Sequence, residues 1–253
     1  YSSEFLLDKY ESGSRIDLED LDFSDIKSPH TEIDILKGLK MIFDLNSIEQ
    51  NTGIKITGAI HVGAFLGEEL SQYRGLGLTN TILFEPQKKL YDIVKSKCIV
   101  KEQVFNVALG SEEDVVGMFI SDREGGVLNG AGASSSILAP KKHLEEHPEV
   151  TFPSKETIIV KRFDKFIEKN EVDISNHNLL NIDVQGYELE VLKGVGDNLN
   201  KIQLIIAEVN RDEMYEGCPM IEDIDSYVAG FGFDRLAVHW QSASWGDAIY
   251  VKR

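Results

Sequence analysis

From residue 57 onward the chain alternates short apolar runs with amphipathic stretches. Apolar runs at 57–62, 81–84, 103–108, 178–183, 202–209, 233–239 and 248–252 predict seven strands. Amphipathic stretches at 68–74, 88–97, 187–193 and 221–229 predict helices, the third stopped by Gly194. Parallel strands need long crossovers, so this order predicts an α/β fold, a mostly parallel sheet with helices on both faces. The last two runs leave no room for a helix between them and predict an antiparallel C-terminal hairpin at the sheet edge.

The flanks depart from this rhythm. Residues 1–30 carry eight acids against three bases and end at Ser28-Pro29, which predicts an acidic arm or linker. Ile33, Leu36, Leu39 and Ile42 recur at helical spacing behind Thr31, predicting a helix ahead of the main fold. The expected division is an arm and helix over 1–55 and one catalytic domain over 56–253. Within it, 111–157 holds Gly125, Gly126, Gly130, Gly132, a run of three serines and a charged stretch. This reads as an irregular, lid-like insertion near the carboxyl edge of the sheet.

Composition narrows the function classes. Lys and Arg total 26 against 43 Asp and Glu, a formal net charge of −17, and no basic cluster offers a polyanion its counterions. Nucleic acid is therefore not an expected partner. Two cysteines, Cys98 and Cys218, lack the spacing of a zinc site and read as ordinary intracellular thiols. Neither a membrane span nor a signal peptide is visible, so a cytoplasmic location is expected. The missing initiator Met fits excision from a longer polypeptide, such as one with glycosyltransferase activity.

Candidate chemistry gathers at predicted strand ends. His61-Val-Gly63-Ala64-Phe-Leu-Gly67 follows a strand and opens a helix, where glycines permit a tight turn and close ligand approach. The three-glycine dinucleotide pattern is absent, which disfavours a nicotinamide cofactor. Glu85, before Pro86, ends the next strand 18 residues after Gly67, the place where a carboxylate holds both hydroxyls of a ribose. Asn106-Val107-Ala108 ends the third strand, where an amide or backbone group would face the base. Asp183 closes a buried strand before Gln185-Gly186 and a helix whose first turn holds Glu188; Glu208 and Asn210 end the following strand. Asp183, Glu208 and Asn210 could converge as oxygen ligands for a divalent cation (Mg or Mn), or as base and orienting groups. His143 and His147 read as lid-surface residues, and His239 as an edge residue able to face a substrate.

In order and spacing these segments resemble the FkbM family of S-adenosylmethionine-dependent methyltransferases. The resemblance rests on His61-Val-Gly-Ala-x-x-Gly-Glu-Glu, Phe84-Glu-Pro, Asn106-x-Ala-Leu-Gly, Ser134-Ser-Ser-Ile-Leu, Asn181-Ile-Asp-Val-Gln-Gly-Tyr-Glu, Glu208-Val and Gly246-Asp-Ala-Ile-Tyr-Val. It covers about residues 58–252. It implies a Rossmann-like class I methyltransferase fold and O-methylation of a hydroxyl, with S-adenosylmethionine as the methyl source. The implied cofactor contacts are His61, Gly63, Ala64, Gly67, Glu85, Pro86, Asn106, Val107, Ala108 and Asp183. Gly63 and Gly67 would face the methionine part, Glu85 the ribose and 106–108 the adenine. Asp183, Glu208 and Glu188 are the catalytic candidates. Ser134, Ser135, Ser136, Gln185 and His239 are the candidate substrate contacts, for a sugar hydroxyl on a glycan or glycolipid, such as a deoxyhexose. A macrolide or other small alcohol is the alternative acceptor, and a non-catalytic cofactor-binding module of a glycan-assembly protein the alternative role.

Overall fold

The computed structural model describes residues 44–126 and 130–253. The predicted acidic arm and the helix over 31–43 lie outside the described residues. The chain enters through α1 (Leu45–Thr52), capped by Asp44, whose carboxylate accepts from the amides of Asn46 and Ser47. The order then runs β1 (Ala59–Val62), α2 (Leu70–Gly75), β2 (Thr81–Phe84), α3 (Lys88–Lys97), β3 (Gln103–Phe105), β4 (Ala108–Leu109) and β5 (Asp114–Asp122). It continues through α4 (His143–Glu146), β6 (Thr151–Lys161), α5 (Phe163–Lys169), β7 (Leu179–Ile182) and α6 (Glu188–Val195). A 3-10 turn, β8 (Leu204–Asn210), α7 (Ile221–Ala229), β9 (Phe233–Trp240) and β10 (Trp245–Lys252) complete it.

The main sheet has seven strands in the order β3-β2-β1-β7-β8-β10-β9. The first five run parallel, and β10 pairs antiparallel with both β8 and β9. This is the Rossmann-like class I methyltransferase arrangement. The closing hairpin folds back, so β10 lies inside the sheet and β9 forms the edge.

Strand side chains alternate between two cores, because successive residues point to opposite faces. Ile60, Leu180, Ile205 and Tyr250 face α5, α6 and α7, packing with Phe163, Val191, Leu192 and Ile224. Ala59, Leu179, Leu204 and Ile249 face α1, α2 and α3, packing with Leu45, Leu70, Tyr73 and Val94. Helices therefore cover both faces of the sheet.

Two expectations are corrected. The run 103–108 is not one strand: it breaks at Asn106, and β4 leaves the main sheet to pair with β6. The segment 111–157 is not irregular throughout. β5 and β6 form an antiparallel ribbon, and with β4 they make a second, three-stranded sheet. No helix among the described residues is long and apolar enough to cross a membrane.

Candidate active site

The turn after β1 is built from unusual backbone. Gly63, Phe65 and Gly67 all have positive φ, at 88°, 44° and 67°. The amides of Gly63 and Ala64 both donate to the Phe84 carbonyl, at 3.0 and 3.1 Å, which lashes the turn to the end of β2. Glu85 follows immediately. Its carboxylate accepts from the Phe65 amide at 2.9 Å and the Gln87 amide at 2.8 Å, one on each oxygen. Burial pushes this carboxyl up to about 8, nearby Asp183 adds to the rise, and the two backbone donors oppose it.

A cavity of about 360 Å³ opens between this turn, the ends of β2 and β7, and the second sheet. Gly63, Glu85, Pro86, Val107, Ala108 and Asp183 of the predicted cofactor set line it. Phe84, Leu109, Met118, Ile137 and Ile158 supply apolar wall, and Glu68 and Glu69 line it as well.

Four predicted contacts stand elsewhere. His61 is buried behind the turn, its Nδ1 3.4 Å from the Tyr73 hydroxyl and 3.8 Å from Glu69. Ala64 is fully buried against the helices of the second core. At Gly67 an added Cβ would meet Leu70 and Val94, so this glycine serves the turn and the packing beneath it. Asn106 Nδ2 donates to the carbonyls of Glu85, at 3.0 Å, and Pro86, at 2.8 Å. Its amide therefore holds the loop that aims Glu85 and is not free to read a base.

On the other side of β1 from Glu85, Asp183 on the cavity wall stands with two carboxyls behind it, Glu208 and Glu188. Asp183 lines the cavity and is exposed; partial loss of solvation raises its carboxyl, with Glu69 adding to the rise and Gln185 opposing it. Gln185, at φ 57°, bridges the acids: its Nε2 donates to Asp183 Oδ1 and to Glu208 Oε2, both at 2.7 Å. The Tyr215 hydroxyl donates to Gln185 Oε1 at 2.8 Å and fixes which way the amide points. Glu208 is 4% exposed and lies behind this bridge; burial first, then Asp183, Glu188 and Asp247, hold it well above the usual carboxylate range.

The remaining candidates are placed differently from expectation. Glu188 is wholly buried, with Oε1 accepting from the amides of Val184 and Gly186 at 3.1 Å each. It shapes the loop that carries Gln185 and does not reach the cavity. Asn210 is fully buried with neither side-chain polar atom hydrogen-bonded. The facing oxygens of Asp183 and Glu208 already hold N–H donors, which a cation would have to displace. Among the described residues no group of three or more His, Cys, Asp or Glu is arranged to hold a metal. The described residues therefore lend the predicted divalent-cation site no support.

The serine run is also committed internally. Ser136 Oγ donates to the Gln185 carbonyl at 2.7 Å, and the Ser134 carbonyl, 3.0 Å from the Tyr215 hydroxyl, shares its single proton with Gln185 Oε1. Ser135 Oγ accepts from the Ser121 amide at 3.0 Å and contacts Gln87 Oε1 at 3.4 Å. Ser135 lines the cavity, but these hydroxyls fasten the insertion to its rim. His239 sits across from Asp247 on the edge strand, outside the cavity wall. His143 is buried against Phe152 and Tyr215, not on the lid surface.

Sequence reasoning missed Glu69, Gln87, Tyr215 and Asp247. Gln87 donates to the Gly132 carbonyl at 3.0 Å and clips the insertion to α3. Asp247 pairs with Glu208 across the strands, and burial raises its carboxyl to about 7. Glu69 follows the glycine turn and Asp247 opens the last apolar run, so each lies in a segment whose pattern marks a turn or a strand and not a carboxyl at the site. Nothing in the sequence marks Tyr215.

The comparisons with known proteins follow this geometry. The Methyltransferase FkbM domain model matches residues 61–235. The 2-O-methyltransferase NoeI of Sinorhizobium fredii (strain NBRC 101917 / NGR234) is 34% identical over 108 residues, 39% of this chain and 44% of the relative. The chain thus matches less than half the length of that curated relative. Two solved structures resemble the fold at a distance. Magnesium protoporphyrin IX methyltransferase (ChlM) from Synechocystis PCC 6803, with bound SAM, has a TM-score of 0.41 and 9% identity, covering 81% of this chain and 74% of that one. A putative RNA methyltransferase from Pyrococcus horikoshii has a TM-score of 0.42 and 11% identity, covering 93% of this chain and 95% of that one. The family match spans well over half of the sequence: the chain belongs to the FkbM methyltransferase family.

Proposed function

We propose that this protein is an S-adenosylmethionine-dependent O-methyltransferase that methylates a sugar hydroxyl. The observation that carries the reading is the polarity of the cavity. The end of β2 supplies a buried, backbone-braced carboxyl at Glu85, apolar side chains line the wall, and the end of β7, on the other side of β1, supplies Asp183. An adenosine fits that order: ribose hydroxyls on Glu85, and the base among Val107, Leu109, Met118 and Ile158. The amino-acid end then lies toward the Gly63 turn and Glu69.

When bound, S-adenosylmethionine supplies an electrophilic methyl group. The protein's task is to hold an acceptor oxygen in line with it and to take the hydroxyl proton. Asp183 is the base in this reading, because it alone of the three clustered acids lines the cavity. Gln185 fixes its carboxylate orientation, and Glu208 and Glu188 act behind it as positioning residues. Transfer to oxygen is supported by the similarity to the 2-O-methyltransferase NoeI, and a neutral sugar hydroxyl is favoured by the strongly acidic composition, which disfavours polyanionic acceptors.

The test is transfer of a labelled methyl group to a panel of neutral oligosaccharides, beside macrolide alcohols and an RNA control. Labelled sugar, reduced about 10²-fold or more in Asp183→Asn with donor affinity kept, is the expected result. Labelling of only the macrolide or the RNA would overturn the sugar assignment.

A further inference from the structure

Gln185 holds a backbone conformation that side chains disfavour: its φ is 57°, and that of Gly186 after it is 96°. A residue other than glycine stays in this region only where its surroundings fix it. One hold is Glu188, which accepts from the amides on either side, Val184 and Gly186. The other comes from the insertion, where the Ser136 hydroxyl donates to the Gln185 carbonyl at 2.7 Å. Its single proton has one place to go, because Ser136 Oγ also accepts from the Leu138 amide at 3.0 Å. Ser136 is itself immobilised. It is fully buried, its amide donates to the Phe119 carbonyl at 3.0 Å, and its carbonyl accepts from the Phe119 amide at 2.8 Å. Phe119 lies in β5, next to Met118 on the cavity wall, so the second sheet reaches Gln185 through this one hydroxyl. The neighbouring Ser135 spends its hydroxyl on the Ser121 amide and Gln87 instead.

We propose that Ser136 is a positioning residue for Asp183, acting through the backbone of Gln185. The inference rests on the reading of Asp183 as the base. Gln185 Nε2 serves Asp183 and Glu208 together because its backbone sets the amide between them. Tyr215 is a weaker guide to that amide, since its one proton is shared between Gln185 Oε1 and the Ser134 carbonyl. Without the Ser136 hydroxyl the Gln185 carbonyl is released and the backbone can leave the left-handed region. The amide then draws away, and ionised Asp183 loses the N–H that favours it. Around Asp183, Glu69 disfavours its ionised form and His61 favours it, while Glu85, Glu188, Glu208, Asp247 and Tyr215 feel its charge. A change at Ser136 keeps all of these groups and alters only the hold on Gln185.

The test follows the Asp183 carboxyl by carbon NMR across pH, in protein labelled at its aspartate carboxyls. The signal is identified by its loss in Asp183→Asn. Ser136→Ala is expected to raise the Asp183 midpoint by at least about 0.5 pH, the direction given by weakening a hydrogen bond to the charged form. Ser135→Ala removes one hydroxyl from the same segment and is expected to leave the midpoint within about 0.2 pH of wild type. Affinity for S-adenosylmethionine, measured by calorimetry, should stay within about twofold in Ser136→Ala, because Glu85 and its two backbone donors are untouched. Melting temperatures check the fold of each variant. If Ser136→Ala does not fold, Ser136→Cys, close to serine in size and a weaker donor, carries the same expectation. An unmoved midpoint in the Ser136 variant, or an equal rise in Ser135→Ala, would overturn the positioning role alone. Full turnover by Asp183→Asn would instead overturn the base assignment, and failure of wild type to bind S-adenosylmethionine the donor assignment.

Discussion

Gly63 touches Asp183 so closely that a Cβ on Gly63 would stand 1.7 Å from the Asp183 carbonyl oxygen. The turn that would cradle the donor and the strand end that would supply the base are thus one packed unit. Gly63 also holds φ at 88°, where a side chain is strained. Gly63→Ala should therefore cost about 3 kcal/mol or more. It should lower the melting temperature by about 6–12 °C and abolish donor binding. A variant that melts like wild type would show that the two segments can separate freely.

Gln185 keeps two carboxylates apart by donating to both. Gln185→Ala removes the bridge and leaves Asp183 and Glu208 facing each other. Donor affinity should stay within about threefold, since Glu85 and its braces are untouched, while kcat falls by about 10–100-fold. The acid limb of the pH–rate profile should move to higher pH, because the lost donor had favoured the ionised base. An unchanged profile would remove Asp183 from the base role.

Asn106→Ala tests the support behind Glu85. Two hydrogen bonds to the Glu85–Pro86 loop are lost, each worth about 1 kcal/mol. The Kd for the donor should rise about tenfold, and the KM for the acceptor should hold steady. A parallel loss in both would mean that Asn106 supports the whole site.

Much of this fold was legible because buried parallel strands are nearly continuous apolar runs. Thr81-Ile-Leu-Phe and Ile202-Gln-Leu-Ile-Ile announce themselves, and the glycines at 63 and 186 mark turns. The ribbon of β5 and β6 was hidden because it is largely exposed: Lys155, Glu156 and Thr157 sit mid-strand with no apolar alternation to betray them. Asn106 ended the third strand as read, yet its role depends on carbonyls 20 and 21 residues away. Glu188 and the serines carry the residue types of chemistry and spend them on backbone. Sequence spacing brings such residues to the sheet edge; only packing decides which face the cavity.

Burial also sets a pH dependence of stability. Glu188 and Asp247 are pushed up to about 7 and Glu85 to about 8, each chiefly by loss of solvation. Between the ordinary carboxyl range and these values the native protein keeps protons that the unfolded chain has released. Stability from these groups is therefore greatest below about pH 4 and falls as pH rises through 7 and 8. Melting temperature should be lower at pH 8.5 than at pH 6. Glu188→Gln, fixed in the neutral form, should recover on the order of 1–3 kcal/mol of that loss. A decline equally steep in the variant would place the titration elsewhere.

Glu85, braced by the Phe65 and Gln87 amides, is the proposed clamp for a ribose. The most direct measurement is calorimetric titration of wild type and Glu85→Ala with S-adenosylmethionine. Wild type should bind on the order of micromolar, within the usual range for enzyme ligands, and Glu85→Ala should lose roughly 100-fold. Equal binding by both proteins would contradict the clamp, and no binding by wild type would contradict the donor itself.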